Sequence, residues 1–158
     1  MSVDHEIAAW RLACARGLPF AFRGLGESML PTLRRGDEAL FAPLAHAPRP
    51  GEVLLYRAED RLVAHRFLGW RADGTLRLRG DFLTGDDPPV PTAAVLGALV
   101  AVRRGGRERR VDRGVLALYA HALPVLHARA PLAATAYHHA ARLAIRVVAR
   151  LTPRARGR

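Results

Sequence analysis

Lysine, asparagine and glutamine are absent from the 158 residues, so arginine carries every permanent positive charge. No lysine amine is then available as a general base. A single cysteine, Cys14, excludes an intrachain disulfide and suits a reducing compartment. Aromatic residues make up 6% of the chain, which leaves few platforms for stacking bases. No stretch of about 18 uncharged apolar residues exists, so no transmembrane helix is expected. Residues 7–22 are interrupted by Arg11 and Arg16 and read as neither a signal peptide nor an anchor. The expected location is the cytoplasm or a peripheral membrane surface.

What is present is unevenly distributed. Residues 1–102 hold 12 Arg and 12 acidic residues, whereas residues 103–158 hold 13 Arg and 2 acidic residues. The whole net charge of +11 therefore lies in the last third. The chain divides into a lead-in helix (1–18), a β-rich domain (19–112) and a basic helical tail (113–158). The first 16 residues carry apolar positions at Ile7, Trp10, Leu12 and Ala13, as a short helix would. From Pro19 to Val102 the apolar runs are short and broken by Gly, Pro and Asp, which is the punctuation of strands. Strands are predicted at 20–23, 38–42, 52–57, 62–70, 75–82, 95–102 and 107–111. With half its residues apolar, the chain can bury a core of mainly β class.

One strand pair can be given a register. Asp73-Gly74 is a strong hairpin signal between "LVAHRFLGW" and "TLRLRGDF". With that dipeptide at a two-residue turn, Ala72 faces Thr75, Arg66 faces Asp81 and His65 faces Phe82. Arg66 and Asp81 are then expected to pair on one face, with Val63, His65 and Phe67 on the other.

The segment "GLGESMLPTLRRGD" (24–37) sets Ser28 in a glycine-flanked bend beside Met29, with Pro31 just behind. A serine hydroxyl is a weak nucleophile until a base removes its proton. Without lysine the base falls to histidine, and of the seven only His65 lies in a strand of the charge-neutral part. A carboxylate can hold the imidazole tautomer and stabilise the imidazolium. The loop "LTGDDP" is free to bring Asp86 or Asp87 to His65.

Taken in order, "GESMLPTLRRGD", "PGEVLLYR", "VAHRF", "RLRGDFLTGDD" and "VLGALVAV" resemble the boxes of the type I signal peptidase and LexA-repressor superfamily of serine peptidases over about residues 20–102. Histidine in place of a lysine base makes the chain similar to the microsomal and archaeal branch. The resemblance implies a β catalytic fold, Ser28 as nucleophile, His65 as base and Asp87 as the supporting carboxylate. Asp81 matches the earlier aspartate of the same box. Asp81, Arg66, Gly26 and Met29 are the expected supporting positions. Gly26 stands where many members carry a serine that helps to bind the oxyanion, which leaves backbone amides near Ser28 for that role. No metal or cofactor is expected, and the implied partner is a preprotein or peptide substrate.

The tail reads as two helices broken by Pro124 and Pro131, with Arg142, Arg146 and Arg150 on one stripe beside Leu143, Val147 and Leu151. Adjoining apolar and cationic surfaces suit a helix lying on an anionic membrane through residues 114–158, in preference to nucleic acid. Two other readings fit less well: a LexA-like self-processing regulator, and an inactive binding module with a basic tail. About 20 residues before the β domain are too few for a helix-turn-helix module.

Overall fold

The computed structural model describes residues 2–23 and 26–111. The expected tail helices lie outside the described residues. One helix, α1 (Val3–Ala15), precedes seven strands: β1 (Phe20–Phe22), β2 (Glu38–Ala42), β3 (Val53–Ala58), β4 (Arg61–Trp70), β5 (Leu76–Arg79), β6 (Val95–Arg104) and β7 (Arg107–Arg110). They form one antiparallel sheet in the order β1-β2-β6-β3-β4-β5, with β7 paired to β6. The chain is thus mainly β with a short N-terminal helix.

The sheet is covered on both faces, which is why β3 reads as a continuous apolar run and not as an alternation. Val53 and Leu55 enter one cluster with Trp10, Phe20, Phe22 and Phe41. Leu54 and Tyr56 enter the other with Phe67, Leu76, Leu78 and Val90. α1 closes the first cluster through Trp10, whose ring meets Phe20 edge-on at 5.8 Å. Gly97 permits that approach. A Cβ there would stand 2.5 Å from the Trp10 ring and 2.2 Å from the Ala42 carbonyl oxygen.

The β4–β5 hairpin departs from the expected register. Arg71 N–H donates to Thr75 O, so the loop holds three residues, Ala72, Asp73 and Gly74, and not two. Gly74 adopts φ 78°, and the Asp73 carboxylate accepts from the Thr75 amide and hydroxyl. A left-handed glycine closing a three-residue loop moves the pairing by one residue. A bulge between Phe67 and Gly69 moves it by one more, so Arg66 lies opposite Arg79, not Asp81. The strand predicted over 75–82 ends at Arg79, so Phe82 has no place opposite His65. Two offsets of one residue add to an even number, and the faces survive. Val63 and Phe67 pack into the second cluster, and His65 lies against Tyr56 of that cluster.

Candidate active site

Ser28 opens a turn between β1 and β2. Met29, only 2% exposed, and Leu33, fully buried, anchor that turn in the core, and Leu33 N–H donates to Met29 O at 2.9 Å. The Ser28 carbonyl accepts Phe82 N–H at 2.7 Å, which ties the turn to the segment following β5. Gly80 makes this possible, because a Cβ there would lie 2.6 Å from Ser28 O and 3.1 Å from His65 Nε2.

His65 projects from the middle of β4. Its Nε2 is 2.9 Å from Ser28 Oγ and its Nδ1 is 2.7 Å from Asp87 Oδ2. With Asp87 ionised, Nδ1 carries the ring proton and Nε2 is left to accept the serine hydroxyl. Asp87 is held by its own amide, which donates to Leu78 O at 2.8 Å, and by Arg71, whose guanidinium donates to Asp87 O at 3.2 Å. Asp86 turns away to the guanidiniums of Arg71, Arg77 and Arg79. The loop thus divides the two carboxylates that the sequence left open: Asp87 meets the imidazole and Asp86 fastens the loop to β5.

Tyr56 is a fourth member that the sequence reading passed over. Its hydroxyl donates to Asp87 Oδ2 at 3.0 Å, the same oxygen that faces His65. Burial, the Asp87 charge and this hydrogen bond push the phenol far above its ordinary pKa, so it remains a donor at any physiological pH. Its signal lies in the β3–β4 register. Leu54 pairs with His65 and Tyr56 with Val63, so Tyr56 is a diagonal neighbour of the imidazole. Finding it requires the Glu59-Asp60 turn, a weak hairpin signal compared with Asp73-Gly74.

Arg66 and Asp81 form a buried bidentate pair, 2% exposed on each side, with Nε 2.6 Å from Oδ1. Thr32 donates to Asp81, and Arg66 donates to Gly51 O at 2.6 Å. The Thr32 behind Pro31 therefore ties the Ser28 turn to β4 and to the segment after β5. Asp81 N–H also approaches Met29 Sδ at 3.5 Å. Gly26 lines a cleft of about 390 Å³ together with Ser28 and His65. Among the described residues no group of His, Cys, Asp or Glu is arranged to hold a metal ion, and no helix is long and apolar enough to cross a membrane.

Comparison with known proteins found no match: no family model, no curated protein and no solved structure matches the chain.

Proposed function

We propose that this chain is a serine endopeptidase similar to the Ser-His branch of the signal peptidases, cleaving a leader or signal segment from a preprotein. The observation that carries the reading is the unbroken relay from Ser28 Oγ through His65 to Asp87, set beside an open cleft. His65 Nε2 takes the hydroxyl proton as Ser28 Oγ attacks the scissile carbonyl, and Asp87 stabilises the imidazolium. The tetrahedral intermediate collapses as His65 returns the proton to the leaving amine. Water then hydrolyses the Ser28 ester by the same relay in reverse. Backbone amides beside Ser28 hold the oxyanion, since Gly26 offers no side chain for it.

The sheet supplies a place for an extended peptide. Among the described residues, Arg61–His65 of β4 pair with β3 on one side only, because the β5 ladder begins at Arg66. β1 likewise pairs only with β2 among the described residues. Phe22 of β1 and Ala64 of β4 both line the cleft, so a substrate strand added there reaches Ser28 through main-chain hydrogen bonds. The basic segment 114–158 adds a second partner, an anionic membrane surface that brings the site to a membrane-bound preprotein.

A fluorophosphonate probe tests the reading. Ser28 Oγ displaces fluoride and becomes phosphonylated, so the native chain labels at Ser28 while Ser28→Ala does not and His65→Ala is slowed by orders of magnitude. A native chain that stays unlabelled removes the catalytic assignment.

A further inference from the structure

The cleft carries one charge that the hydrolytic chemistry leaves unused. Arg61 opens β4 and lines the cleft four residues before His65. Among the described residues no carboxylate forms an ion pair with its guanidinium, although Glu59 and Asp60 precede it in the turn. The rest of the cleft lining beside Ser28 and His65 is mostly apolar, with Phe22, Met29, Leu62, Val63, Ala64 and Leu83. Arg61 is itself exposed at the start of β4, and a guanidinium at the edge of an apolar groove can reach a charged group lying in that groove. Alternation along the strand sets Arg61, Val63 and His65 on one face. At about 3.3 Å per residue, Arg61 stands roughly 13 Å along the strand from His65.

We infer that Arg61 is a specificity-determining residue that binds a carboxylate of the peptide substrate about three to five residues from the scissile bond, on the side running along β4. The inference rests on the peptidase reading and narrows its substrate class: apolar residues next to the cleaved bond, then an acid. Two sources supply the carboxylate, an Asp or Glu side chain or the C-terminus of the substrate itself. The apolar walls suit the intervening residues, and a guanidinium suits a carboxylate by its two parallel donors.

A proteome-derived peptide library decides it, incubated with the full chain and with Ser28→Ala as the blank, with cleavage sites read by mass spectrometry. The expected result is Ser28-dependent cleavage with Asp or Glu enriched three to five residues from the cut. A C-terminal carboxylate would instead appear as cuts at that fixed distance from peptide ends. Arg61→Ala should lower kcat/KM on an acidic peptide roughly fivefold, through KM and not kcat. Arg61→Glu should exchange the acidic preference for Lys and Arg. Ser28-dependent cleavage without acidic enrichment, or an unchanged preference in Arg61→Glu, overturns the role of Arg61 and leaves the peptidase intact. No Ser28-dependent cleavage overturns both.

Discussion

Asp87 Oδ2 receives two donors, the imidazole Nδ1–H at 2.7 Å and the Tyr56 hydroxyl at 3.0 Å. A carboxylate with one donor can rotate about its terminal torsion, whereas the same oxygen held from two directions aims the imidazole at Ser28. The phenol cannot ionise in the working range, so it never becomes a competing charge beside Asp87. Tyr56→Phe keeps the ring in its apolar cluster and removes only the donor. Stability should fall by about 1–2 kcal/mol, and the rate of fluorophosphonate labelling by about tenfold. Thermal melts and labelling kinetics on the same preparation check both. An unchanged labelling rate would reduce Tyr56 to a core residue.

The elements are held together where buried charges meet. Arg66 on β4, Asp81 after β5 and Thr32 in the Ser28 turn make one network under the site. Removing one partner of a buried pair strands the other charge, at a cost of about 3–5 kcal/mol. Asp81→Ala should accordingly lose activity together with its melting transition. Lost labelling at an unchanged melting temperature would make Asp81 part of the chemistry instead. A second clasp joins the segment before β2 to β6, where Arg104 Nε donates to Asp37 Oδ1 at 2.6 Å. Burial opposes ionisation of Asp37, but the Arg104 hydrogen bonds, the Arg34 amide and both guanidinium charges outweigh it, holding the carboxyl below its ordinary 3.8. A depressed folded-state pKa stabilises above the unfolded value and is lost as pH falls through the folded one. Asp37→Asn should thus cost about 1–3 kcal/mol at neutral pH, with the difference shrinking progressively below about pH 4. Urea titrations across that range supply the measurement; a pH-independent difference would mean that the charge contributes nothing.

For the whole molecule the charge asymmetry matters most. The 13 arginines after residue 102 carry the whole net charge, and that charge is what favours the proposed anionic membrane partner. Each Arg near an anionic leaflet contributes about 1 kcal/mol, a sum that salt screens. The full chain should float with anionic liposomes at low salt and be released by high salt. Release only by detergent would mean insertion, and absence from the vesicle fraction at low salt would remove the membrane from its partners.

How far the sequence reaches differs from feature to feature. Strand content follows from residue type and period: the seven predicted strands all form, at bounds within a few residues. Ser28 stands out by its glycine-flanked bend and His65 by elimination, since a chain without lysine leaves histidine as the candidate base, while the ordered boxes point to Asp87. The sequence could not count the β4–β5 loop, because Asp73-Gly74 closes a two- or a three-residue turn equally well until Gly74 and the Asp73 carboxylate choose. Nor could it see the bulge at Phe67–Gly69, which costs nothing that composition records. Arg66 and Asp81 pair nonetheless, because two odd shifts restore the face and a buried guanidinium must find a carboxylate. Tyr56, Thr32 and Gly80 enter the site only through tertiary structure. Each lies at least nine residues from the candidate-site side chain it touches or supports, except Thr32, which reaches Ser28 by way of Asp81. Local pattern determines which residues can be strands and which can react. Only the folded sheet decides which of them meet, because contacts across strands depend on register, and register depends on single residues in turns and bulges.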